Sequence, residues 1–130
     1  MSADTPPVPL IDERKAERIA LALPVAYALE HPSGRVVGDT ETTNLSGGGV
    51  QFLIPKKVKA PTPCHVFLTV PEQSEALSFA GFVSWCRPVQ GHSVEGFEVG
   101  VAFAQGGCDA ETFERYCHFI AAQLLLKYLQ

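Results

Sequence analysis

Large apolar residues alternate with small or polar ones along most of this chain, and the period changes only near its end. From Ile19 to Leu29 the large positions are Ile19, Leu21, Leu23, Val25, Tyr27 and Leu29, with Ala20, Ala22, Pro24, Ala26 and Ala28 between them. A period of two predicts a strand, despite the alanines. Pro24 cannot donate a ladder hydrogen bond, so it marks an edge position or a bulge. "HPSGR" predicts a turn at His31 to Arg35, and Val36 to Thr43 a second strand. Val50, Phe52 and Ile54 alternate in a third, stopped by Pro55, with "KKVKAPTP" as a loop. Val66, Leu68 and Val70 mark a fourth strand. Leu77, Phe79, Gly81, Val83 and Trp85 mark a fifth and place the Trp85 side chain with Val83 in the interior. "RPVQGHS", Arg87 to Ser93, predicts a turn, and Phe97, Val99, Val101 and Phe103 a sixth strand.

Six short strands in succession predict a mainly β fold, an antiparallel barrel or sandwich. A barrel leaves no open sheet edge, and one of six strands is narrow enough for side chains to fill. After Gly106-Gly107 the period becomes helical. Asp109 suits an N-cap, Glu111 the first turn and Lys127 the last, which predicts a C-terminal α-helix over about 109–129. Phe113, Tyr116, Cys117, Ile120, Leu124 and Tyr128 form one stripe expected to close over the barrel. Phe119, Ala122, Leu126 and Leu129 form a second, bridged by Leu125, which is either covered by its own chain or a homodimer or partner interface.

At 130 residues and 46% apolar, the chain is sized for one domain with a real core. Residues 1–12, with Pro6, Pro7 and Pro9, read as a flexible leader, and 13–130 as the domain, with the barrel at about 19–105. The net charge of −4 argues against nucleic acid and anionic lipid as partners. No apolar run approaches the ~18 residues of a membrane helix, and the N-terminus has no signal-peptide centre. The expected location is cytoplasmic, without membrane insertion. Cys64, Cys86, Cys108 and Cys117 lack metal-ligand spacing and read as buried, reduced thiols, so no metal or cofactor is expected. No paired-carboxylate, nucleophile-elbow or metalloprotease motif is present, so the chain does not read as an enzyme.

Two short stretches remain. "RKAER" puts Arg14 and Arg18 at i, i+4. An arginine fork matches a phosphate or the O6/N7 edge of guanine, and its plane stacks on a purine. Glu13 and Glu17 are interleaved, so the run also reads as a solvated face. "NLSGGG" offers the Asn44 carboxamide, the Ser46 hydroxyl and glycine amides open to close approach. It also reads as a tight turn requiring positive φ at its glycines. The hairpin between the two stretches would return Asn44 to the end of the barrel where Arg18 enters.

With these motifs, RxxxR and NxSxxG, and with "GFVSWCRP" (Gly81 to Pro88) and "VGVAF" (Val99 to Phe103), the chain resembles the PilZ domain family over roughly Asp12 to Gln105. The resemblance implies a six-stranded antiparallel β-barrel that binds cyclic di-GMP, a bacterial second messenger. It implies Arg14, Arg18, Asn44, Ser46 and Gly49 as ligand residues, with Asn44 where Asp is more usual. Glu13 stands where some members carry a further arginine that favours a stacked nucleotide pair, which leans toward one nucleotide here. A single-domain receptor would order its arginine segment on binding and signal through an effector protein. The alternative is a nucleotide-independent interaction module using the helix.

Overall fold

The computed structural model describes residues 17–89 and 96–129. The expected leader and Arg14 therefore lie outside the described residues. Six strands follow in chain order: β1 (Pro24–His31), β2 (Gly34–Ser46), β3 (Gly49–Ile54), β4 (Thr62–Leu68), β5 (Leu77–Pro88) and β6 (Phe97–Phe103). One helix follows, α1 (Ala110–Tyr128). The strands close into a barrel in the order β1-β2-β3-β6-β5-β4, and every neighbouring pair is antiparallel.

The alternating apolar positions fill the interior. Val25, Tyr27, Leu29, Phe52, Val66, Leu68, Phe79, Val83, Val99 and Val101 are all buried. The β1–β2 turn uses Gly34 at φ +124, a conformation that suits glycine. Several strand bounds differ from expectation. Strand β4 begins at Thr62 rather than Val66, and Arg87 and Pro88 continue β5 rather than opening a turn. The antiparallel partners set these ends: Thr62 faces Val83, and Pro88 faces Phe97.

The first predicted strand divides. Pairing with β2 in a regular ladder begins only at Pro24. Residues before it run extended beside the far end of β2. Ile19 and Leu45 exchange two backbone hydrogen bonds of 2.8 Å. Thr42, itself buried, donates its hydroxyl to the Leu21 carbonyl at 2.7 Å and accepts from the Leu23 amide at 2.9 Å. Leu23 is buried and Ile19 and Leu21 pack partly against the core, so apolar burial holds this segment down.

Helix α1 is capped as expected: the Asp109 side chain accepts from the Thr112 amide at 2.7 Å. Only the centre of its first apolar stripe, Tyr116 and Ile120, is buried. Tyr116 meets Phe79 and Phe103 edge-on. Phe113 and Tyr128 are exposed, whereas Phe119 of the second stripe packs partly against the core. The helix therefore closes over the barrel with the centre of its first stripe, Tyr116, Ile120 and the partly packed Leu124, against the Phe79–Phe103 stack.

Candidate functional site

Two β-bulges build the site. In β2, Thr42 faces Phe52 but Asn44 faces Gln51, so Thr43 is an extra residue in the ladder. A bulge shifts the phase of every residue beyond it. Thr42 and Leu45 both point inward, and Asn44 and Ser46 are turned onto the outer wall. In β5, Val83 faces Val101 but Trp85 faces Gly100, so Ser84 is likewise extra. Trp85 is thereby turned out, half-buried on the wall, and is not the interior residue its spacing predicts.

Register then sets a row across four strands: Asn44 on β2, Gln51 on β3, Gly100 on β6 and Trp85 on β5. Gly100 is what lets the indole lie down. A Cβ there would meet the Trp85 Nε1 at 2.3 Å. Behind this row, Ser46 faces Gly49 and Gly49 faces Ala102. Gly49 is required by close approach, since its Cβ would meet the Val101 carbonyl oxygen at 2.1 Å. Neither Gly47 nor Gly49 takes a positive φ, so the expected left-handed turn at these glycines is not what places them.

The extended segment ahead of β1 completes the corner. Because Ile19 pairs with Leu45, Arg18 is delivered beside Asn44 and Ser46. Arg18, Asn44, Ser46, Gly49, Gln51 and Trp85 line one open notch of about 70 Å³. Four of the five expected residues thus share a wall, and Arg14 lies outside the described residues. The notch offers a guanidinium, two carboxamides and a hydroxyl, all suited to a polar planar group and a phosphate.

Two further residues border the notch that sequence spacing did not single out. The Arg87 guanidinium lies 4.9 Å from the Trp85 ring centroid and pairs with Glu98 at 2.9 Å. Glu98 also accepts from the Thr43 hydroxyl at 3.1 Å. The charge of Arg87 was visible in the sequence, but the expected turn at Arg87–Ser93 moved it off the wall.

The helix is tied to both halves of the site. The buried Tyr116 hydroxyl donates to the Ser46 carbonyl at 2.5 Å, and burial raises the phenol above its ordinary range. Glu17, next to Arg18, accepts from Lys127 Nζ at 2.8 Å and from the Tyr128 hydroxyl at 2.5 Å. These partners hold the Glu17 carboxyl below its ordinary value, Lys127 being the larger cause. All four cysteines are free, but only Cys64 is buried, where burial pushes its thiol up to about 12; the other three are half-buried. Among the described residues no cluster of His, Cys, Asp or Glu is arranged to hold a metal.

Known proteins share this architecture. A family model described as PilZ domain matches residues 12–119. The structure of the Bacillus subtilis inhibitor of motility, MotI/DgrA, is similar at 16% identity and a TM-score of 0.62, covering 88% of this chain and 52% of that one. MrkH, described as a c-di-GMP-dependent transcription regulatory factor, is similar at 12% identity and a TM-score of 0.60, covering 86% and 51%. This chain therefore spans about half the length of each of these two. The PilZ domain of CeSA from a cellulose-synthesising bacterium is similar at 18% identity and a TM-score of 0.49, covering 75% of this chain and 87% of that one. No curated protein matches the chain.

Proposed function

The chain belongs to the PilZ domain family, and from that premise we propose that it is a non-enzymatic receptor for cyclic di-GMP. The observation that carries this reading is the shared notch of Arg18, Asn44, Ser46 and Gly49. In this reading Asn44 and Ser46 read one guanine from the wall, and Gly49 keeps the backbone within reach. Arg18 forks onto a phosphate or the guanine O6/N7 edge. Arg14, four positions earlier, supplies a second fork, and the arginine segment closes over the nucleotide on binding. Glu13 favours one nucleotide over a stacked pair. The protein works in the cytoplasm and passes the signal to an effector protein.

Calorimetry with cyclic di-GMP on the full chain tests this. We expect micromolar or tighter binding by the wild type and loss of measurable binding by Arg18→Ala. Hydrogen bonds to a charged group contribute about 1.5–3 kcal/mol each, so one lost bidentate fork is enough to move a micromolar site out of range. Absence of wild-type binding would defeat the proposal.

A second reading, an interaction module that needs no nucleotide, draws on the helix. Leu125, Leu126 and Leu129 are exposed, the last at 75%. This reading predicts partner capture or self-association that is indifferent to cyclic di-GMP. Light scattering with and without nucleotide, on the wild type and Leu126→Glu, separates it from the first.

A further inference from the structure

The longest strand, β2, is paired along only part of its length on one side. β1 pairs with it from Gly34 to Glu41, but β3 meets it only from Thr42 to Ser46. Among the described residues, no backbone hydrogen bond from elsewhere in the chain reaches Arg35 to Glu41. The ladder decides which groups are left over. The Thr42 amide donates to the Leu23 carbonyl at 2.9 Å. Bonded positions alternate in an antiparallel pair, so Gly34, Val36, Gly38 and Thr40 also turn their amides and carbonyls to β1. Arg35, Val37, Asp39 and Glu41 turn theirs away from it. Pro24 fits this phase, because it stands opposite Glu41, where no donor is needed. The side chains of the same four residues are exposed, Val37 at 67%. Natural sheet edges are blunted with proline, lysine or a bulge. This stretch has none of these before the bulge at Thr43, and a β-branched residue stands at its middle. Arg35 and Asp39 lie two positions to either side of Val37, so the stretch is its own charge complement when read antiparallel. The pair that Arg35 makes within the chain, to Glu30 at 3.3 Å, has both side chains more than half exposed and holds it only weakly.

We propose that this edge binds the same edge of a second copy of the chain, with the two β2 strands antiparallel about a twofold axis through Val37. Arg35, Val37 and Asp39 then exchange backbone hydrogen bonds with the second copy, in the phase that leaves the bonds to β1 untouched. On the outer face each Arg35 lies opposite Asp39 of the other copy, and the two Val37 side chains meet on the axis. A shift by two residues sets Arg35 against Glu41 but leaves each Val37 against a carboxylate, so the axis at Val37 is favoured. A short ladder buries little area, so the pair is weak and forms at high protein concentration. Asn44 and Ser46 lie beyond the bulge at the other end of β2, so the joint leaves the notch uncovered.

Sedimentation of the full chain from micromolar to millimolar concentration tests this. The wild type should pass from monomer to dimer. Amide exchange at Arg35, Val37 and Asp39 should slow as it does, while Val36 and Gly38 stay protected throughout. Arg35→Asp and Asp39→Arg each set like charges opposite one another twice, and each alone should weaken self-association by roughly 5-fold or more. Mixed in equal parts, the two variants should associate with each other, because each supplies the charge that the other lacks. Leu126→Glu should leave the wild-type behaviour unchanged. All three substitutions are at exposed side chains, and circular dichroism establishes that each variant has folded. A wild type that stays monomeric to millimolar concentration overturns the proposal. So does dimerisation that Asp39→Arg leaves intact, or that only Leu126→Glu abolishes, which would seat the interface on the helix.

Discussion

Gly47 and Gly49 are two residues apart and look interchangeable in the sequence, yet they have different jobs. A Cβ at Gly47 would meet nothing within 4 Å, while one at Gly49 would strike the Val101 carbonyl. The obstacle at Gly49 is backbone inside a closed ladder, which has little freedom to retreat. Gly49→Ala should therefore destabilise the fold by about 1–3 kcal/mol, the cost of overpacking a tight site. Gly47→Ala should be neutral or slightly stabilising, because it removes freedom from the unfolded chain. Urea unfolding of the pair checks this, and equal effects would refute the close-approach account. The same contrast explains what could be read in advance. Motif spacing and the family resemblance marked Arg18, Asn44, Ser46 and Gly49 as candidates. The motifs did not mark Thr42, whose hydroxyl holds the segment ahead of β1 to β2, because a buried threonine in a strand looks like any other. Nor did spacing place Trp85 on the wall, since one extra residue at Ser84 inverts the facing that a strict period of two assigns.

At the level of elements, the strands were legible because burial on one face enforces alternation, and the helix because its cap and its stripe agree. Their ends were not, being set by partner strands distant in sequence. The attachment of the helix end to the segment ahead of β1 was equally hidden, because it joins Glu17 to residues more than a hundred positions away. That attachment has a pH window. Glu17 is held below its ordinary 4.5, so its contribution is present above that value and is lost as pH falls through the lowered one. Lys127 and Tyr128 are held above their ordinary 10.5 and 10.0, so theirs are present below those values and are lost as pH rises. The clasp is therefore intact between about 4.5 and 10.0. Tyr128 ring resonances should shift on acidification below that window in the wild type. Glu17→Gln should show the acid-like positions already at neutral pH. Its unfolding midpoint should barely move, since the pair is solvent-exposed and screened. A Glu17→Gln spectrum identical to the wild type at neutral pH would show that the clasp does not form.

At the level of the whole molecule, barrel and helix share one core. Tyr116 and Ile120 are buried in the same cluster as Phe52, Phe79 and Val101. The helix should accordingly not melt ahead of the barrel. In urea, helical circular dichroism and Trp85 emission are expected to trace a single coincident transition. A helix signal lost at distinctly lower urea would mean that α1 is an independent appendage.

Closure of the barrel carries a consequence for how this protein meets others. Each of the six described strands already has a hydrogen-bonded neighbour on both sides. An incoming peptide thus finds no described strand free along its whole length, and β-augmentation is confined to partial edges such as Gly34–Glu41 of β2, which β1 pairs but β3 does not. A partner that docks elsewhere on this molecule must grip side chains projecting from its walls or its helix. Specificity then resides in individual contacts that point substitutions can erase one at a time.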